Sequence, residues 1–101
     1  MTEQAIYEKA LKLWGSDSQV KMLYEEMAEL QKALCKYDRK QTAENLINIQ
    51  EEIADVEIMI GQMRVLFGNA GPDLIKVKKL KRLESLIQEG EVRRNESNPL
   101  S

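Results

Sequence analysis

Apolar residues recur three and four positions apart along most of this chain, the spacing that places them on one side of an α-helix. Polar breaks rich in Gly, Ser, Asp, Asn and Thr separate four such stretches, and no stretch alternates as a half-buried strand would. The pattern therefore predicts an all-α, four-helix, bundle-like fold. The predicted helices cover residues 3–14, about 18–37, about 42–66 and about 72–88.

The ends of the predicted helices are marked by residues suited to caps and turns. Gly15 suits the C-cap of the first helix, and Thr42 suits the N-cap of the third. Pro72 fits the first turn of the fourth helix, which we expect to end at Gly90. Beyond it the segment 91–101 is polar, so we predict one domain over residues 1–90 followed by a disordered tail.

Composition excludes several functional classes. The net charge of −2 argues against binding of a nucleic-acid polymer, which usually needs a strong basic excess. The chain has no histidine, which excludes Ser-His-Asp hydrolases, His-ligated zinc sites and Glu-x-x-His di-iron bundles. The lone Cys35 permits no internal disulfide, and no apolar run is long enough for a membrane span. We therefore expect a soluble, cytoplasmic protein.

Two acidic repeats carry the main chemical signal, Glu25-Glu26-x-x-Glu29 in the second predicted helix and Glu51-Glu52-x-x-Asp55 in the third. At about 100° per residue, Glu26 and Glu29 lie beside or within the apolar stripe, and Glu52 and Asp55 repeat that placement. Buried carboxylates are costly unless they are paired or bound to a cation.

The polar break between these helices predicts an antiparallel hairpin, in which both acidic repeats lie at about the same height. Gln19, Asn45 and Asn48 fall on the same faces and are candidate ligand contacts, with structural hydrogen bonding as the alternative for each. Gly61 within a helix is locally unfavourable, so we expect a close helix crossing there.

Two interpretations of the acidic repeats remain open. A Glu-Glu-x-x-Glu helix is ordinarily a solvated, salt-bridging surface, although two copies on apolar faces favour a shared cation. Oxygen ligands alone select hard ions, so Mg²⁺, Mn²⁺ or Ca²⁺ is expected over softer metals.

The paired motifs, E-E-x-x-E followed by E-x-x-D on consecutive helices, resemble the signature of MazG-like nucleotide pyrophosphohydrolases over roughly residues 14 to 68. The resemblance implies a MazG-type all-α bundle completed by association of subunits, as a homodimer or homotetramer. It also implies Mg²⁺-dependent cleavage of a nucleoside triphosphate to a monophosphate and pyrophosphate, in house-cleaning of the nucleotide pool. By motif position, Glu25 would be catalytic, and the metal ligands would be Glu26, Glu29, Glu52 and Asp55.

Other residues are less strongly indicated. Met22 stands where relatives of that family often have a lysine, so the cations for the triphosphate must come from elsewhere. For Trp14, packing or a dimer contact is favoured over stacking on a base, and Glu51 is expected to be a bystander. The candidate cations are Lys21, Arg64, Lys76 and Lys79.

Two further functions remain as alternatives. The chain could be a non-catalytic helical interaction module whose acids pair with basic residues of a partner. It could also be a relative that acts on phosphoribosyl-ATP or on dUTP specifically.

Overall fold

The computed structural model describes residues 1–97, and this part of the chain contains helices and no strand. The prediction of an all-α fold with four helices is confirmed. None of the helices in these residues is long and apolar enough to cross a membrane. The helices are α1 (Glu3–Trp14), α2 (Ser16–Arg39), α3 (Ala43–Phe67) and α4 (Ala70–Ser97).

The helix ends use the residue types that the sequence offers. The side-chain oxygens of Thr2 and Thr42 accept hydrogen bonds from the backbone N–H groups of Ala5 and Asn45, both at 3.1 Å. These N-caps satisfy donors that the first turns of α1 and α3 leave unpaired. Gly15 alone joins α1 to α2, and its N–H bonds to the carbonyl of Leu11 at 2.9 Å.

The predicted end of the fourth helix is wrong. Helix α4 continues through Gly90 to Ser97, so residues 91–97, expected in the disordered tail, are helical. A glycine costs only about 1 kcal/mol relative to alanine inside a helix. An ion pair between Glu89 and Arg93, one turn apart at 2.6 Å, spans the position and favours continuation. The remainder of the predicted tail, residues 98–101, lies outside the described residues.

The chain divides into two compact units, Met1–Gly68 and Asn69–Ser101. In the first unit, α2 and α3 form the largest interface and α1 packs against both. The second unit consists of α4, whose described side chains are exposed. Its exposed apolar residues are Leu74, Ile75, Val77, Leu80, Leu83, Leu86, Ile87 and Val92.

The contact between α2 and α3 follows a heptad-like pattern. The less exposed side chains recur at alternating steps of four and three, as in helices that supercoil gently around each other. We call these positions the seam. On α2 they are Gln19, Leu23, Glu26, Leu30, Ala33 and Tyr37, and on α3 they are Asn45, Ile49, Glu52, Val56, Met59 and Met63.

The ring of Tyr7 in α1 packs over Gly61 of α3 and so holds α1 against the hairpin. A Cβ at position 61 would come within 2.6 Å of Cζ of the Tyr7 ring. Tyr7 is buried, and its hydroxyl donates a hydrogen bond to Glu3 at 2.5 Å, which limits how far the ring can move. The space beside Gly61 is therefore filled by the Tyr7 ring, which accounts for a glycine at this position, while a close crossing of the helices themselves stays a prediction.

We predict that Gly61→Ala lowers the free energy of unfolding by about 1–3 kcal/mol, because the added methyl group displaces the Tyr7 ring. Urea denaturation followed by circular dichroism measures the change. Gly90→Ala is the control, since that exposed glycine has no atom within 4 Å of an added Cβ and should gain up to about 1 kcal/mol. Equal stabilisation by both substitutions would contradict the contact between the Tyr7 ring and Gly61.

Candidate functional site

Three carboxylates from the two hairpin helices converge midway along the seam. One oxygen each from Glu26, Glu52 and Asp55 lie within 4.8 Å of one another. We call these three residues the acid cluster. Glu26 and Glu52 occupy seam positions and are half-buried, whereas Asp55, one turn beyond Glu52, is exposed at the seam's edge.

The surroundings of Glu26 oppose its ionisation. Burial raises the pKa of Glu26 above its ordinary value, and the negative charges of Asp55 and Glu52 raise it further. A hydrogen bond with Glu52 and the charge of Glu29 act in the same direction. Burial and the neighbouring negative charges therefore both disfavour the ionised form of Glu26.

Glu52 has an unsatisfied oxygen within this cluster. Its Oε2 atom is buried and has no hydrogen-bond partner among the described residues. A buried polar atom without a partner costs roughly 1–3 kcal/mol, so such an atom calls for an explanation. The donor set consists of hard oxygens from three acids, which suits Mg²⁺ or Mn²⁺. The residues present thus fit a divalent cation, although clustered acids also occur without one.

The other acids of the two repeats lie outside this group. Glu29 is exposed and is not among the three converging residues, although its charge acts on Glu26. Glu25 is exposed on α2. Glu51 is also exposed, and it lines a cleft closer to the α2–α3 turn. The catalytic role of Glu25 and the ligand role of Glu29 remain predictions.

We call this cleft, which has a volume of about 590 Å³, the polar cleft. Both asparagines that the sequence singled out line it. Asn45 donates its side-chain amide to the carbonyl oxygen of Lys40 at 2.9 Å, so it has a structural role at the end of α2. Asn48 lies one turn before Glu52, between the cleft and the acid cluster. The complete lining is Lys36, Glu44, Asn45, Ile47, Asn48 and Glu51.

A second cavity, of about 410 Å³, lies at the opposite end of the hairpin, and we call it the apolar pocket. Gln19 lines it and is buried, with its Nε2 donating to Oε1 of Gln62 at 2.6 Å. Gln19 therefore has the structural hydrogen bond that was its alternative role, and its contact with a ligand remains a prediction. The lining residues are Trp14, Ser18, Gln19, Met22, Met59 and Gln62.

Sequence reasoning missed Gln62 and Met59 as site residues. Gln62 is seven residues, or two helical turns, after Asp55, so it lies on the same face of α3, and that spacing could have identified it. Trp14, for which core packing was one interpretation, is 61% exposed at the rim of the pocket and is not a core residue. The partnership of Gln19 with Gln62 required the helix register.

The predicted cations are distributed over both units. Lys21 is exposed on α2 and Arg64 is half-buried on α3, within the first unit. Lys76 and Lys79 are exposed on α4, in the second unit. Their contact with a triphosphate therefore remains a prediction, and Lys36 of the polar cleft is a cation that the sequence did not single out.

Comparison of the chain with protein-family models, with curated proteins and with solved structures gives no match.

We predict that Glu26→Gln stabilises the metal-free chain at neutral pH. A carboxyl whose folded pKa is raised opposes folding when ionised, and this cost disappears as the pH falls through the folded pKa towards 4.5. The variant should therefore melt at a higher temperature than the wild type at pH 7 in EDTA, with the difference shrinking as the pH approaches 4.5.

Differential scanning calorimetry at several pH values measures this difference. Glu25→Gln is the matched control, because Glu25 is exposed and neighbouring on α2 and should change stability by no more than about 0.5 kcal/mol. A destabilised Glu26→Gln variant at pH 7 would contradict the repulsion.

Proposed function

We propose that the chain is a Mg²⁺-dependent nucleoside triphosphate pyrophosphohydrolase of the MazG-like kind, acting in clearance of the nucleotide pool. The observation that carries the proposal is the acid cluster, in which Glu26, Glu52 and Asp55 converge and Glu52 Oε2 is buried without a partner. Seam positions in an antiparallel helix pair are normally apolar. Acids at these positions therefore suggest a bound cation whose attraction offsets the free-energy cost of removing the carboxylates from water.

Glu26, Glu52 and Asp55 would hold the cation, with Glu29 close enough to Glu26 for their charges to interact. Bound Mg²⁺ would neutralise charge on the phosphates and polarise the reacting phosphorus. Glu25, exposed on the same turn of α2, is the proposed base that accepts a proton from the attacking water. The products would be a nucleoside monophosphate and pyrophosphate.

The ends of the hairpin support this assignment by offering different chemistry on either side of the acid cluster. The polar cleft provides Lys36 and Asn48 on the turn side, which suit an anionic group. The apolar pocket provides Trp14, Met22 and Met59 on the other side, which suit a planar ring. A nucleotide has both of these parts, joined by a polar sugar.

Association into a dimer or tetramer is part of the proposal, because α4 leaves a row of large apolar side chains exposed. The same observation favours the second candidate, a non-catalytic interaction module in which the acids pair with basic residues of a partner. In that case Glu52→Gln and Asp55→Asn would change the oligomeric state measured by light scattering, and the chain would show no turnover. The remaining alternative is an enzyme that acts on phosphoribosyl-ATP or on dUTP specifically, so both compounds belong in the activity screen.

We expect the chain with Mg²⁺ to release a monophosphate and pyrophosphate in equal amounts from at least one member of a panel of NTPs, dNTPs, dUTP and phosphoribosyl-ATP. Glu52→Gln and Asp55→Asn should each lower kcat by at least about 100-fold, because they remove cation-binding charge from the site. Quantification of both products by ion-exchange chromatography gives the stoichiometry.

Glu57→Gln is the matched control, since Glu57 is an exposed acid of α3 outside the acid cluster and should retain wild-type turnover. Failure of the folded wild type on every substrate would refute the proposed function. Full activity of a Glu52→Gln, Asp55→Asn double variant would refute the site.

Mg²⁺ binding should also be visible as stabilisation. A ligand present at 100 times its Kd stabilises the folded state by about 2.7 kcal/mol, so the melting temperature should rise with Mg²⁺ concentration. Thermal melts in EDTA and in millimolar MgCl₂ measure the shift, which Glu52→Gln should abolish and Glu57→Gln should preserve. Identical melting of the wild type with and without Mg²⁺ would contradict a cation at the acid cluster.

A further inference from the structure

Two buried glutamines meet across the hairpin, at the end away from its turn. Gln19 of α2 and Gln62 of α3 are 5% and 4% exposed, respectively. Gln19 Nε2 donates a hydrogen bond to Gln62 Oε1 at 2.6 Å, and Gln62 Nε2 lies 3.7 Å from the sulfur of Met59. A thioether is a weak acceptor, so the bond between the two side-chain amides is the stronger of these contacts. We call Gln19 and Gln62 the amide pair.

The apolar part of the seam specifies the alignment of the two helices only weakly. Its members are Leu, Ile, Val, Met and Ala residues, which can pack against one another in more than one register. A slip of α3 by about one turn would place Gln19 against Met59 or Leu66, depending on the direction. Gln19 would then lose its partner, and a buried amide without a partner is unfavourable. A buried polar contact of this kind is a well-attested means of fixing the register of packed helices.

The turn constrains the alignment at the other end of the hairpin. Residues 40–42 join α2 to α3. Gln19 is twenty residues before Arg39, the last residue of α2, and therefore about 30 Å along the helix from the turn. The amide pair thus constrains the part of the hairpin that the turn constrains least, and the acid cluster lies between the two.

The amide pair and the acid cluster belong to the same alignment of the helices. Gln19 is seven residues before Glu26 on α2, and Gln62 is seven residues after Asp55 on α3. Seven residues are almost two turns, so each step returns to nearly the same helix face about 10 Å further along. Because the helices are antiparallel, both steps lead in the same direction. The register that joins the amides is therefore the one that brings the carboxylates of Glu26 and Asp55 together.

We propose that the amide pair is a pair of positioning residues, which fixes the register of α2 against α3 and so holds Glu26 at cation-binding distance from Glu52 and Asp55. Neither glutamine belongs to the acid cluster, so each acts through the helix that carries it. The register role stands on the seam itself, whereas the effect on a cation rests on the proposed function. One hydrogen bond joins the pair whichever amide donates, so the role does not depend on the orientation of either side chain.

Replacement of both glutamines by leucine separates positioning from stability. Apolar groups of similar shape can replace a buried hydrogen-bonded pair without loss, so the Gln19→Leu, Gln62→Leu double variant should melt no lower than the wild type in EDTA. Each single leucine variant should melt below the double variant, because it leaves one buried amide without its partner. Single variants that melt as high as the double variant would refute the pairing.

The Gln31→Leu, Gln50→Leu double variant is the matched control. Both of these glutamines are exposed, one on α2 and the other on α3. Each is twelve residues from the member of the amide pair on its own helix, so the control changes the same residue types in the same alignment. It should leave the register and the acid cluster as they are in the wild type.

Spin labels report the register directly. Cys35 is the only cysteine, so labels can be attached to a Lys32→Cys, Ile60→Cys, Cys35→Ser background, in which both labelled positions are exposed. Double electron–electron resonance in EDTA should give one narrow distance distribution in this background and in the control. The double leucine variant should give a broader distribution, with a component displaced by about 5 Å, the rise of one helical turn.

Binding of Mn²⁺ alone reports the effect on the acid cluster. Isothermal titration calorimetry should give a Kd for Mn²⁺ at least about tenfold higher in the double leucine variant than in the wild type, since residues that orient metal ligands typically contribute that much to affinity. The control should bind Mn²⁺ as the wild type does. A role limited to stability would leave this Kd unchanged in a variant that melts as high as the wild type.

The outcomes distinguish the register from the proposed reaction. An unchanged distance distribution in the folded double leucine variant would refute the proposal, whatever its affinity for Mn²⁺. A broader distribution with an unchanged Kd for Mn²⁺ would also refute it, because the acids would not depend on the register. A broader distribution in a chain whose wild type binds no Mn²⁺ would support the register role and refute the proposed cation site.

Discussion

Electrostatic repulsion at the centre of a helix–helix seam is the constraint on which this structure depends. Helices α2 and α3 pack through positions that recur every four and three residues, and two of those positions hold Glu26 and Glu52. The apolar seam residues hold the two helices in contact at the height where the charges of Glu26 and Glu52 repel each other. The apolar contacts at Ala33, Ile49 and Met59 on either side maintain the pairing, so the acids remain concentrated. Such an arrangement is unfavourable in isolation, and the proposed cation would offset part of this cost.

This constraint also divides the groove between α2 and α3 into three chemical environments. The acid cluster occupies the middle, the polar cleft lies towards the turn, and the apolar pocket lies at the open end. The three environments follow from residue identity at successive turns of two continuous helices. A linear ligand with an anionic part and an aromatic part could extend along such a groove.

Periodicity was sufficient to predict the four helices and that Glu26, Glu52 and Asp55 lie near one another, because acids three residues apart share a helix face. Periodicity also placed Glu29 with these acids, whereas Glu29 lies outside the acid cluster. It failed at Gly90, where local propensity was too weak to end a helix whose neighbours favour it. Periodicity could not pair Gln19 with Gln62, since a contact between residues 43 positions apart depends on the register of α2 against α3. The exposed position of Trp14 likewise depends on how α1 packs, which its own pattern of apolar residues does not determine.

Gly15 gives this architecture an additional property. It is the sole residue between α1 and α2, with φ at 86° and ψ at 150°, a region that is essentially restricted to glycine. On one side of it stands Trp14 and on the other Ser18, both at the mouth of the apolar pocket. With Tyr7 holding the far part of α1 against Gly61, the short connection leaves α1 little slack. The place of Trp14 at the mouth of the pocket thus follows from a one-residue connection on one side and from the packing of Tyr7, two turns away, on the other.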